Sequence, residues 1–86
     1  MPTLPSDTLP RRAGILCGDP RFQRFAAERL GLAGHQLTNS AASEYLRRFC
    51  HIASRRDLRT DAAGQLQFAI LRTEFDRWLG KIAGPR

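Results

Sequence analysis

The sequence contains no valine and shows no alternation of apolar and polar residues, so nothing in it signals a β-strand. It has no apolar run long enough to cross a bilayer and no signal-peptide pattern, which points to a soluble, cytoplasmic protein with no membrane partner. Cysteine occurs only at Cys17 and Cys50, too sparse for a disulfide framework. Cys17, His35, Cys50 and His51 also lack the short paired spacing through which zinc ligands converge, and adjacent helical residues such as Cys50 and His51 point about 100° apart. Two buried thiols and two ordinary histidines are expected, with no metal. Nucleophilic catalysis would need a strained elbow or an oxyanion loop around a Cys–His pair, and neither is present. Gly31-Leu32-Ala33-Gly34 lacks the preceding strand and the lysine of a phosphate-cradling loop. Every internal acid has an arginine close by in sequence, so paired catalytic carboxylates are not expected either. The chain reads as a non-enzyme without cofactors.

What remains is a single domain near the lower size limit for a self-sufficient core. An apolar content of 42%, five Phe, one Tyr and one Trp favour folding over disorder. Prolines at 2, 5 and 10, with polar residues between them, predict a disordered arm over residues 1–8 and a single helical domain over 9–84. At this size a monomer or a weak dimer is expected.

Helix signals divide that domain. Leu9–Gly18 reads as a short first helix. Asp19-Pro20 starts a second, because Asp at the N-cap accepts free amide hydrogens and Pro at the first helical position needs none. From Pro20 to Leu30, Phe22, Phe25, Ala26 and Leu30 share one face, with Arg24, Ala27 and Glu28 opposite; Gly31 ends it and Gly31–Asn39 is a loop. Asn39 or Ser40 caps a third helix to about Cys50, burying Ala42, Tyr45, Leu46 and Phe49 and exposing Glu44, Arg47 and Arg48. After a bend at Ile52-Ala53, Ser54-Arg55-Arg56-Asp57 matches a capping box and predicts that a helix restarts at Ser54. The last helix, about Asp61 to Ala83, carries Phe68, Leu71, Phe75, Trp78 and Ile82 as a heptad-like stripe before Gly84-Pro85 stops it. Leu66, Ile70 and Thr73 lie on its other side. Burial by a bundle that wraps this helix is the favoured reading; an apolar strip for a partner is the other. The expected fold is all-α, a compact orthogonal bundle of four or five short helices.

The chain is basic, at net +6. Thirteen of its fourteen cationic residues are arginine, a choice that GC-rich codons would also produce. The excess is concentrated: residues 41–60 carry Arg47, Arg48, Arg55, Arg56 and Arg59 against Glu44 and Asp57, whereas residues 61–85 are neutral. Two helices joined by a tight turn would bring this cluster into a helix-turn-helix-like arrangement, with Arg55 and Arg56 at a helix start where phosphate is attracted. Guanidinium groups can fork onto phosphate oxygens. A solvated polar face, a nucleic-acid surface and a surface for an acidic protein all fit the pattern. Aromatic residues, which single-strand stacking needs, are missing from the expected exposed face.

Three stretches carry a resemblance: Leu16-Cys17-Gly18-Asp19-Pro20-Arg21-Phe22, Cys50-His51-Ile52-Ala53-Ser54-Arg55-Arg56-Asp57-Leu58, and Phe75 to Trp78. Together, over residues 15–80, they resemble a group of small, uncharacterised proteins found in bacteriophages and prophages. That pattern has a Cys-Asp-Pro-Phe-like start, a Cys-Gly-Ile-x-Ser-Arg-x-Glu-Leu middle and an aromatic C-terminal helix. Ser54, Arg55 and Leu58 match it; His51 stands where it has Gly and Asp57 where it has Glu. The resemblance implies a phage setting, where small basic helical proteins serve DNA replication, recombination or transcription. Two functional expectations follow. One is a nucleic-acid-binding accessory factor acting through Arg47, Arg48, Arg55, Arg56 and Arg59. The other is an adaptor or inhibitor that docks on an acidic host protein through Leu66 and Ile70.

Overall fold

The computed structural model describes residues 8–83, with side chains to Lys81. Most of the expected arm and the stop at Gly84-Pro85 lie outside that range, as does the side chain of Ile82 at the end of the stripe; Thr8, assigned to the arm, is already helical. The elements run α1 (Thr8–Cys17), α2 (Pro20–Arg29), α3 (Asn39–Cys50), a 3-10 turn (Arg55–Arg59) and α4 (Ala62–Ala83), with no strand among the described residues. The fold is the all-α bundle that the sequence predicts, flattened to 36 × 30 × 18 Å.

Local chemistry sets most of the boundaries. The Asp19 carboxylate accepts the Arg21 amide hydrogen at 2.8 Å and Pro20 opens α2 behind it. At the far end of α2, Gly31 takes φ +82° and lets the Leu32 amide donate back to the Ala27 carbonyl at 2.8 Å, a Schellman-type closure. The cap of α3 falls one residue earlier than expected. Thr38, in extended backbone, accepts the Ala41 amide on its hydroxyl at 3.1 Å, so Asn39 and Ser40 are already inside the helix. At the end of α3, His51 adopts the left-handed conformation at φ 57° while the Ile52 amide donates to the Arg47 carbonyl at 3.0 Å. Glycine is the residue suited to that conformation.

The restart at Ser54 is real but short. Ser54 and Asp57 form the capping box: the Asp57 carboxylate accepts the Ala53 and Ser54 amides at 3.1 Å each, and Ser54 Oγ accepts the Arg56 amide at 3.3 Å. The result is a five-residue 3-10 helix, a single turn, rather than an α-helix. A second N-terminal signal cuts it off, since the Asp61 carboxylate accepts the Gly64 amide at 2.9 Å and begins α4.

Inside, Phe22 and Phe25 of α2 meet Phe75 of α4 at ring-centroid distances of 5.4 Å, and Phe25 meets Trp78 at 5.7 Å. Phe22 also contacts Tyr45 of α3 at 6.3 Å. Ala13 and Cys17 of α1, Ala42, Leu46 and Cys50 of α3, Ile52, Leu58 of the turn, and Phe68 and Leu71 of α4 complete the core. Arg29 joins α2 to α4 through Glu74 at 2.8 Å and covers the Phe25 ring at 4.8 Å.

Four expected burials differ. Leu30, placed on the inner face of α2 with Phe22, Phe25 and Ala26, is 55% exposed at the helix end. Ala27, placed on the outer face of α2, is fully buried, and Gln23 one turn earlier is buried with it. The loop after Gly31 folds back over this column: Leu37 donates its amide to the Gln23 carbonyl and Gln36 bonds the Gln23 side chain. Leu66 and Ile70, favoured for the interior, are 61% and 39% exposed, because the other elements cover only the Phe68–Leu71–Phe75 side of α4. Tyr45 and Phe49, assigned to the core, are only half-buried and pack at its edge.

Candidate functional site

The five clustered arginines do not form one surface. Arg47 and Arg55 turn inward toward α1 and are half-buried. Arg55 lies against the last turn of α1, where a side chain on Gly14 would come within 3.3 Å of its Nη1; the absent Cβ leaves it that room. Both guanidinium groups bear on the buried Cys17 thiol, which also meets the Ser43 hydroxyl. Burial nevertheless dominates and pushes the Cys17 thiol above its ordinary value, with Ser43, Arg55 and Arg47 opposing the rise. Arg56 and Arg59 point outward into solvent. Arg48 sits on the outer ridge of α3, paired with Glu44 at 2.6 Å. Those two side chains are 79% and 53% exposed, so the pair is worth about 0.3–0.5 kcal/mol at most.

Of the five, Arg48 alone has a carboxylate partner among the described residues. The nearby acids are engaged by backbone instead: Asp57 by Ala53 and Ser54, and Asp61 by Gly64. Residues 47–59 therefore keep a net positive charge: five arginines stand against Asp57 alone, and of the five only Arg48 is paired, with Glu44.

The helix-turn-helix geometry expected for this segment is absent. A five-residue 3-10 turn is too short to serve as a recognition helix, and its Arg56 amide is already taken by Ser54 Oγ. What the turn supplies is a rigid mount that presents Arg56 and Arg59. Sequence reasoning misses α1 as a contributor. α1 packs along the 3-10 turn, and its exposed Arg11 lies one turn before the Gly14 that receives Arg55. Gly14 is the available signal of a close approach on that side. Arg12 faces the other way, into a groove of about 240 Å³ shared with Ile15, Leu16, Asp19, Phe68 and Arg72.

On the opposite flank of α3 an open groove of about 470 Å³ is lined by Leu30, Ala41, Glu44, Tyr45, Arg48 and Phe49. The Tyr45 and Phe49 rings form its wall with centroids 6.2 Å apart, and Leu30 is 55% exposed beside them. Burial raises the Tyr45 hydroxyl above its ordinary value, with Arg29 opposing.

Cys50 is buried and its thiol is pushed up to about 11, chiefly by desolvation, whereas His51 is exposed. No group of three or more His, Cys, Asp or Glu side chains suited to a metal ion occurs among the described residues. No helix among them is long and apolar enough to cross a membrane. Compared with protein families, curated proteins and solved structures, the chain matches none.

Proposed function

We propose that the chain is a small, non-catalytic accessory protein that binds the phosphate backbone of nucleic acid, in the phage or prophage setting that its motif resemblance implies. The observation that carries this reading is the charge left over in residues 47–59. Arg47, Arg55, Arg56 and Arg59 have no carboxylate partner among the described residues, and the neighbouring acids are held by backbone amides. A site of this kind reads charge rather than sequence, and binding weakens as salt displaces the counterion-release advantage. Arg56 and Arg59 make direct contacts in this reading, Arg47 and Arg55 supply a half-buried positive floor, and Arg48 extends the surface over α3.

Fluorescence anisotropy with a labelled duplex and a labelled single strand, between about 50 and 200 mM salt, tests it. The double variant Arg56→Ala/Arg59→Ala should weaken binding and lower the log–log salt slope by roughly 0.7–0.9 for each phosphate that is no longer neutralised. An unchanged titration would remove the reading.

A second reading rests on Leu66 and Ile70, exposed on α4 beside Thr73. It makes the protein an adaptor or inhibitor whose apolar strip docks on a partner that the arginines attract by charge. Leu66→Asp should then abolish partner capture from the native host while leaving the thermal melt unchanged.

A further inference from the structure

The apolar groove and Arg47 lie on two flanks of α3, with Arg48 on the ridge between them. Along α3, Ser43 and Arg47 face α1 and the 3-10 turn, Glu44 and Arg48 form the outer ridge, and Ala41, Tyr45 and Phe49 face Leu30. A strand of nucleic acid crossing α3 would meet guanidinium groups on one side, Arg48 on the crest and two aromatic rings on the other. Duplex DNA offers such rings a base face only at the cost of unstacking, because its bases are stacked inside. A single strand can, since each unpaired base offers a face for stacking and sequence matters little to that contact.

We infer that the groove lined by Leu30, Tyr45, Phe49 and Arg48 is a base-stacking subsite, and that the preferred ligand is single-stranded rather than duplex nucleic acid. This rests on the phosphate-binding reading above and names its substrate class. Several features of the groove fit a base better than an apolar peptide. Its wall is aromatic, and its rim carries a guanidinium that is 79% exposed. That guanidinium is tied only to an exposed carboxylate one helical turn away, so a phosphate can draw it off Glu44. Arg48 thus gains a role, from extending the phosphate contact over α3 to linking phosphate and base.

The test compares a fluorescein-labelled oligothymidylate of about 16 nucleotides with a duplex of the same length, using wild type, Tyr45→Leu and Phe49→Leu. Leucine keeps apolar bulk at the edge of the core while removing the ring. Wild type should bind the single strand more tightly, and each ring variant should lose roughly fivefold or more on the single strand with duplex binding unchanged. NMR of wild type gives a readout independent of any variant's folding: the Tyr45 and Phe49 ring protons should move upfield on adding oligothymidylate. Equal binding of both forms, with ring protons unmoved and Arg56→Ala/Arg59→Ala still weakening both, overturns the stacking subsite and leaves the phosphate reading standing. No binding of either form at about 50 mM salt overturns both. A dimer that Phe49→Leu dissociates in sedimentation would assign the groove to a second copy of the chain and overturn the inference.

Discussion

Asp57 closes the turn between α3 and the 3-10 element, and under the phosphate-binding proposal its removal should drive stability and binding in opposite directions. Its carboxylate accepts the amides of Ala53 and Ser54 at 3.1 Å each, closing the capping box that turns the chain from α3 into the 3-10 turn. In Asp57→Ala both amides lose their acceptor. Ala53 is exposed, so water replaces part of what is lost, and each bond is worth about 0.5–1.5 kcal/mol net. The sum, about 1–3 kcal/mol, overlaps the roughly 0.5–2 kcal/mol typical of a missing helix cap. A loss of about 1.5–2 kcal/mol follows, and in a domain of this size each kcal/mol lowers Tm by about 4–8 °C. The same change deletes one of two acids among five arginines, so phosphate affinity should rise, most visibly at low salt. Asp57→Asn should raise affinity comparably while keeping much of the stability, because an amide oxygen still accepts at a cap. Thermal melts by circular dichroism and anisotropy on the same samples provide both readings. An Asp57→Ala melt that coincides with wild type would show that the box does not hold the turn. Lower affinity in Asp57→Asn, whose fold is kept, would refute the electrostatic argument.

Other outcomes follow from single positions. His51→Gly should stabilise the fold by about 0.5–1 kcal/mol, since it relieves a left-handed strain of about 1–2 kcal/mol at φ 57° and gives back about 0.5–1 kcal/mol through a freer unfolded chain; urea unfolding measures it. Phe75→Ala should cost about 3–5 kcal/mol in the same assay, because it empties the space where the Phe22 and Phe25 rings meet α4. Cys50 sets an alkaline limit. A thiol raised from 9.0 to about 11 holds its proton longer in the folded chain, so its contribution is fully present below pH 9 and is lost as pH climbs through 11. Cys50→Ala should flatten that part of the stability–pH curve, leaving the smaller slopes of Cys17 and Tyr45, which are raised in the same sense.

Much of the backbone was readable along the chain because its signals act over one helical turn. Asp19-Pro20, Gly31, Ser54-x-x-Asp57 and the Phe68–Phe75 stripe each mark a boundary or a buried face through groups three or four residues apart. The same local rules gave no strand signal, and no strand occurs among the described residues. They could not decide how long the restart at Ser54 would run, since that depended on competition with the next cap at Asp61. Nor could they say which way a long side chain turns once a neighbouring helix arrives. Arg55 leaves the solvated face because Gly14 of α1 makes room for it. Ala27 is covered because the loop over 31–37 returns across α2. Leu66 stays uncovered, and Tyr45 and Phe49 open into a groove, because too few elements surround α4 and the α2 end of α3. A helical wheel records the direction a side chain leaves its own axis, whereas burial depends on what stands opposite, and only the packing of distant segments supplies that.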